Sequence, residues 1–341
     1  CRGSECLPAA LTIGKFLSCL SDSHNGGSPG RNVLLMPRAE GPCRFGQYAT
    51  LQSRIIERMA PGDACVLSPT SENGYQFLKP AAERDAWRAL CLGDMLLKLR
   101  CRVLPYHSQP ETVIGLISQA IDEIGLKISQ GKDWKHIVRS LVLELSYSMD
   151  HNLPARPLVG IVGEIFVRLN TFSNQHVIEA IEDAGGEAWV SPMSEWIHYV
   201  QHMLSRKKSG FKGWMFSFKR GYIHHLEEEV NSLFSPLLDD RAEPPVRKVL
   251  DRGERFVPAE FEGEAILTIG RAKLFAEQGA DLVVNCSPFS CMPGRITSHL
   301  FQMHPGYIGV PVVNLFYDGI GDVSSQVGIY LRSIARTQGA R

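Results

Sequence analysis

Phosphate-binding signatures are missing from this sequence. It has neither a G-x-x-x-x-G-K-S/T loop nor a G-x-G-x-x-G turn after a strand, which argues against a nucleotide site of its own. A basic surplus is missing too. Lys+Arg and Asp+Glu both number 36 over 341 residues, whereas a general nucleic-acid binder carries excess positive charge. No apolar run approaches the ~20 residues that span a bilayer, and no signal peptide opens the chain. Neither nucleic acid nor a membrane is therefore expected as a partner. With 44% hydrophobic and 21% charged residues, the chain has the composition of a soluble globular protein with a substantial core. Its length suits two domains.

Cysteine is where the sequence is rich. There are nine, and in a cytoplasmic chain cysteines held in turns suggest metal or redox work rather than disulfides. Asp281 to Gly294 (DLVVNCSPFSCMPG) starts as a buried strand at Leu282-Val283-Val284. It breaks at Asn285 to Pro288 and sets Cys291 in a turn closed by Pro293-Gly294, with a helix expected from Arg295 to about His304. Both Cys286 and Cys291 then lie where a strand ends and a helix begins. Open α/β sheets bind ligands at such edges, and helix N-termini favour thiolates. Cys286 has a second reading as the buried end of the strand.

The same design recurs twice. Asn32 to Pro37 (NVLLMP) leads through Arg38 to Tyr48, presenting Cys43 before a helix that runs to about Met59. Cys1-Arg-Gly-Ser-Glu-Cys6-Leu-Pro8 precedes an amphipathic run from Ala9 to Leu20. This first loop has no strand ahead of it, and the chain opens on Cys1. It is expected to be a segment of a longer polypeptide.

Between these loops the pattern is α/β. Ala64 to Ser68 reads as a strand, which with Asn32 to Pro37 makes a βαβ step and a parallel sheet. His24 to Gly30 and Ser71 to Phe77 read as loops. Lys79 to His151 is nearly all helical, with Cys91 and Cys101 on apolar faces, and Cys65 points into its strand, so all three are expected in the core. Two prolines in Asn152 to Pro157 mark a boundary. Strands are expected at Leu158 to Val162, Glu187 to Ser191 and Val310 to Tyr317. Helices are expected at Asn174 to Ala184, capped by Gly185-Gly186, at Glu195 to about Leu238, and at Glu262 to Gln278. Arg206-Lys207-Lys208 reads as a solvated face. The expected fold is therefore α/β: two lobes (1–78 and 152–341) with small parallel sheets flanked by helices, and a helical insert (79–151) between them.

Three chemistries fit the cysteines. Cys1 to Cys6 and Cys286 to Cys291 are both C-x4-C, so an all-cysteine zinc site is one reading, serving as a structural or interaction domain. An iron–sulfur cluster is the second. It accepts thiolates scattered over loops, and the many backbone N–H groups and apolar neighbours here (Phe45, Phe289, Met292) suit it. A nucleophilic cysteine is the third, but none of the eleven histidines lies in a cysteine loop to act as its base.

Five stretches together resemble one family. They are Ser4-Glu-Cys6-Leu-Pro8, Gly41-Pro-Cys-Arg-Phe-Gly-Gln-Tyr48, Val162-Gly-Glu-Ile-Phe-Val-Arg168, Glu264-Ala-Ile-Leu-Thr-Ile-Gly270 and Pro288-Phe-Ser-Cys-Met-Pro-Gly294. The family is the activator-related proteins of the 2-hydroxyglutaryl-CoA dehydratase and benzoyl-CoA reductase superfamily, often the C-terminal part of fused CoA-enzyme activases. The resemblance runs from Ser4 to about Leu331. It implies two α/β lobes with a 4Fe-4S cluster in the cleft, held by two cysteines of the first lobe and one of the second. Cys6, Cys43 and Cys291 match those positions. Cys1 and Cys286 are not part of the pattern; either is a fourth ligand or packing. Glu164 and Glu264 are cleft candidates whose plainer reading is a capping or solvated carboxylate. The resemblance further implies a role as an electron-transfer or reductase-like component, and a partner: an ATP-hydrolysing activase of the actin-like, sugar-kinase fold that delivers low-potential electrons. A dimer is left open as the assembly.

Overall fold

The computed structural model describes residues 5–24, 32–39, 41–70, 79–206 and 210–339. The expected loops at 25–30 and 71–77, Cys1, and Lys207-Lys208 lie outside them. Helix α1 (Leu7–His24), strand β1 (Asn32–Leu35), helix α2 (Tyr48–Met59) and strand β2 (Ala64–Leu67) form the first lobe. β1 and β2 pair in parallel, with Val33 opposite Cys65 and Leu35 opposite Leu67. Because side chains alternate across a strand, Leu34 and Val66 turn inward toward Ile13, Leu20 and Ile56 of the two helices. Val33, Leu35 and Leu67 face outward and are exposed.

Helices α3 (Pro80–Val103), α4 (Pro110–Ser129) and α5 (Lys135–Ser148) follow as a bundle. The helical body extends beyond 79–151. Leu226, Val230, Leu233, Phe234 and Leu238 join Trp87, Leu99, Val138 and Leu145 in one core. They come from α9 (Gly210–Asn231), α10 (Ser235–Leu238) and the turn between them, later in the chain. Cys91 and Cys101 are buried as expected, whereas Cys65 is only half-buried.

The second lobe runs β3 (Leu158–Gly163), α6 (Ile165–Leu169), α7 (Val177–Asp183), β4 (Glu187–Val190) and α8 (Met193–Arg206) before α9 and α10. It resumes with α11 (Val246–Gly253), α12 (Ala265–Glu277), β5 (Leu282–Pro288), α13 (Met292–Met303), α14 (Pro305–Ile308), β6 (Val312–Tyr317) and α15 (Val327–Gly339). All four strands are parallel, in the order β4-β3-β5-β6. Every residue of β3 and β5 is buried, as expected of a parallel sheet covered on both faces. One face packs on α11, α12 and α13 through Ile266, Phe275 and Phe301, the other on α7 and α15 through Ile181 and Val327.

Several element ends differ from the sequence pattern. The helix expected from Asn174 starts at Val177, because Gln175 and His176 take left-handed backbone angles, φ 52° and 56°. The helix after Cys291 starts at Met292, not Arg295, with Pro293 in its first turn, where a missing N–H costs nothing. Among the described residues no helix is long and apolar enough to cross a membrane.

α3 is the element that joins the parts. Its Asp94 accepts from the N–H groups of Met193 and Ser194, both at 2.8 Å, and so caps α8. Its Lys98 pairs with Glu243, and its Arg100 with Glu182 at 3.1 Å.

α11 and α12 cross without room for a side chain between them. A Cβ on Gly270 would stand 1.9 Å from the Val249 carbonyl oxygen. Gly270→Ala is expected to lower stability by about 1–3 kcal/mol, the usual cost of overpacking, or more if the helices cannot separate. Gly93, exposed on α3 with nothing near its Cβ position, serves as the contrast: Gly93→Ala should raise stability by up to ~1 kcal/mol. Urea denaturation of both proteins measures the pair, and equal effects of the same sign would contradict this packing.

Candidate functional site

β3 is followed by β4 on one side and, after the long helical excursion, by β5 on the other. The chain therefore switches direction between β3 and β5, and in open α/β sheets the crevice beyond the carboxyl ends at such a point is where ligands bind. Gly163 ends β3 there with φ 112°, and its missing Cβ lets Cys286 approach: a side chain would meet the Cys286 carbonyl oxygen at 2.0 Å. Glu164 follows Gly163 and caps α6, its Oε1 accepting from Phe166 N at 3.2 Å and its Oε2 from Val167 N at 2.9 Å. On the β5 side, Ser290 turns the chain at φ 63° and Cys291 caps α13.

The first lobe brings its two cysteines to this crevice. Cys6 directly precedes α1, and Cys43 caps the short 3-10 turn Arg44–Gln47, with Phe45 N–H facing its sulfur at 3.5 Å. Each of the three thiols thus stands immediately before a helical turn, where backbone N–H groups are unpaired and favour negative charge. Two contacts fasten the Cys43 loop to the second lobe. Arg44 Nη2 donates to the Ser290 carbonyl at 3.0 Å, and Phe45 packs edge-on against Trp196, ring centroids 6.3 Å apart. The Tyr48 hydroxyl is hydrogen-bonded to the Cys6 sulfur.

The electrostatics tie the groups into one site. Burial pushes the Cys43 thiol up to about 11, with Glu264, Cys6 and Glu164 adding to the rise. Burial raises Cys291 further, helped by Glu164, Glu264 and Cys43. Cys6 is raised by burial and held back by its Tyr48 hydrogen bond. Glu264, just before α12, is pushed up to about 8, by burial first and the neighbouring Glu164 second. Glu164 is raised by burial against the pull of its two cap hydrogen bonds. Glu164 is thus a capping carboxylate, yet one drawn out of water beside the thiols.

Of the predicted ligands, Cys43 feels the charge of Cys6, and Cys291 that of Cys43. Cys286 does not join them. It is fully buried in β5, on the sheet face packed against α7 and α15, with its sulfur 3.8 Å from the Tyr317 hydroxyl. The two C-x4-C pairs therefore do not assemble as a zinc site in the described residues, and Cys1 lies outside them. Among the described residues no three His, Cys, Asp or Glu side chains are close enough to hold one metal ion. The free thiol set is nonetheless chemically apt for an iron–sulfur cluster: three sulfurs from separate loops, each beside a helix start, with aromatic cover. Arg206 pairs with Glu260 and takes no part in the site.

Four residues of the site carried no role in the sequence reading. Arg44 and Tyr48 lie within the Cys43 motif, so adjacency was their signal. Trp196 sits in α8 with no local signal at all. Arg168, only 5% exposed, donates to the carbonyl oxygens of Gly163 at 2.8 Å, Ser191 at 3.1 Å and Pro192 at 3.1 Å. No family model, no curated protein and no solved structure matches the chain.

The Glu264 carboxyl gives a pH signature. The unfolded chain releases this proton near the ordinary carboxylate value of about 4.3, whereas the folded protein keeps it up to about 8. Between those values the folded state binds more protons, so this group's contribution to stability falls as pH rises. Relative to wild type, metal-free Glu264→Gln protein should therefore gain stability from about pH 4 upward and level off above about pH 8. Thermal melts across that range measure it, and a pH-independent difference would show an ordinary solvated carboxylate.

Proposed function

We propose that Cys6, Cys43 and Cys291 hold an iron–sulfur cluster of the 4Fe-4S type between the lobes, and that the protein is the electron-transferring, reductase-like component the family resemblance implies. One observation carries this reading. Three thiols from three separate loops each stand immediately before a helical turn near the sheet's switch point, and Cys43 feels the charge of Cys6 and Cys291 that of Cys43. A bound cluster would supply one-electron redox chemistry there.

The residues present suit that task. Burial keeps the unloaded thiols protonated at neutral pH, so loading releases protons and is favoured by higher pH. The Phe45 N–H faces the Cys43 sulfur at 3.5 Å; hydrogen bonds of this kind to sulfur are a lever on potential. Phe45, next but one to Cys43, packs edge-on against Trp196 of the second lobe. With Cys286 turned to the other sheet face, Cys6, Cys43 and Cys291 leave one iron position for Cys1 or for a small exogenous ligand. A cytoplasmic location accompanies the reading, since thiols of this kind stay reduced there.

An ATP-hydrolysing activase of the actin-like, sugar-kinase fold is the proposed electron donor, on the same polypeptide or beside it. Three thiolates beside Glu164 and Glu264 make the pocket negative, and adding an electron in a low dielectric is costly. A conformational drive from nucleotide hydrolysis is a means of meeting that cost, and this chain carries no phosphate loop of its own.

Two measurements test the reading. Cys6→Ala, Cys43→Ala and Cys291→Ala should each lose most iron after anaerobic loading, whereas Cys65→Ala, Cys101→Ala and Cys286→Ala should keep it. Full iron occupancy in the Cys43→Ala protein would falsify the ligand assignment. With the activase, a low-potential reductant and ATP, cluster absorbance should bleach quickly. Equally fast reduction with a non-hydrolysable ATP analogue, or without the activase, would remove the coupling from the proposal.

A further inference from the structure

The buried and half-buried arginines that join the helical body to the second lobe meet carboxylates. Arg271, 1% exposed, pairs with Glu243 and stands 3.4 Å from Glu195. Arg100 pairs with Glu182 at 3.1 Å, and Arg102 and Arg241 share Glu187 at 3.0 Å each. Arg168 and the half-buried Arg156, whose Nε donates to the Pro105 carbonyl at 2.9 Å, depart from this. Each of the three guanidinium nitrogens of Arg168 donates to a neutral carbonyl oxygen, and among the described residues no carboxylate stands within ion-pair distance of it. A buried charge needs compensation, and for Arg168 it comes from beyond that distance.

The geometry shows where. Arg168 is one turn beyond Glu164 on α6, its N–H bonded to the Glu164 carbonyl at 3.0 Å. It lies behind the carboxyl ends of β3 and β4, at the base of the crevice that holds the thiols. Its charge stabilises the ionised forms of Glu164, Glu264, Glu195 and Cys286, although Glu195 lies nearer Arg271. Glu164 and Glu264 repel each other, and both resist ionisation, so together they supply less than two negative charges at neutral pH.

We propose that Arg168 is the fixed counter-charge for an anionic occupant of the thiol pocket, and that it sets how readily that occupant accepts an electron. The proposal rests on the cluster reading above, since three thiolates with a cluster make such an anion. A cation held in place by carbonyls, in a medium that screens weakly, stabilises the more negative, reduced state. Arg168 is a positioning residue in this sense and need not touch the cluster.

The test uses full-length protein loaded with iron and sulfide, comparing wild type, Arg168→Gln and Arg168→Lys. Initial iron content and far-UV circular dichroism check loading and folding, an electrochemical titration gives the midpoint potential, and an iron chelator gives the rate of iron loss. Arg168→Gln should titrate at a clearly lower potential and lose iron several-fold faster. Arg168→Lys, which keeps the charge but loses the three-carbonyl fork, should stay near wild type in potential. Equal potentials for wild type and Arg168→Gln overturn the proposal, as does a Lys variant displaced as far as the Gln variant. Should Arg168→Gln fail to fold, the neutral Arg168→Met takes its place: a lowered potential upholds the charge role and an unchanged one overturns it, with Arg168→Lys kept as the charge-retaining control. A wild-type protein that takes up no iron and sulfide sinks the cluster reading and this inference with it. A wild type that loads and titrates normally beside an unmoved Gln variant sinks the inference alone.

Discussion

Taking ionisable groups out of water at one seam is the constraint on which the rest of this structure depends. Cys6, Cys43, Cys291, Glu164 and Glu264 meet there, and burial opposes the charged form of every one. Desolvation of this kind is tolerable only where hydrogen bonds or compensating charge stand ready. The fold meets the requirement with helix starts. A backbone N–H faces the sulfur of Cys43, the Tyr48 hydroxyl meets that of Cys6, and two more backbone N–H groups hold Glu164.

Such a seam has to be held in register by parts distant from it. The four-stranded sheet fixes the ends of β3 and β5 side by side, down to the Gly163 contact that admits Cys286. α3 fixes the helical body to the second lobe through Asp94, Lys98 and Arg100. The first lobe is the lightest piece, a two-stranded sheet with two helices. Its grip on the second includes Arg44 on Ser290 and Phe45 on Trp196, both from the loop that carries Cys43, and Leu7 of α1 against the core between the sheet and α7 and α15.

Much of the fold was legible because its signals are local. Apolar runs such as LVGIV and LVVN mark buried parallel strands, and the Pro/Gly turns before Arg44 and Met292 mark helix starts. The placement of cysteines at those starts followed directly. Helix beginnings slipped by a few residues where the chain takes left-handed angles at Gln175, His176 and Glu262, since nothing in a non-glycine residue announces such a conformation. The extent of the helical body was not legible either, because α9 and α10 reach it from far along the chain.

The sequence by itself determined the α/β class, the two lobes with a helical body, and the three thiols that stand before helical turns. These depend on periodicity, turn residues and neighbours within a few positions. Tertiary structure alone decided that Cys286 turns to the sheet face away from the other thiols, that Trp196 covers the Cys43 loop, and that Glu164 and Glu264 share one pocket. It alone showed that Arg168 is buried with its guanidinium on three carbonyl oxygens. Those facts join residues tens to hundreds of positions apart, and desolvation and charge act through space, where the order of residues along the chain leaves no local mark.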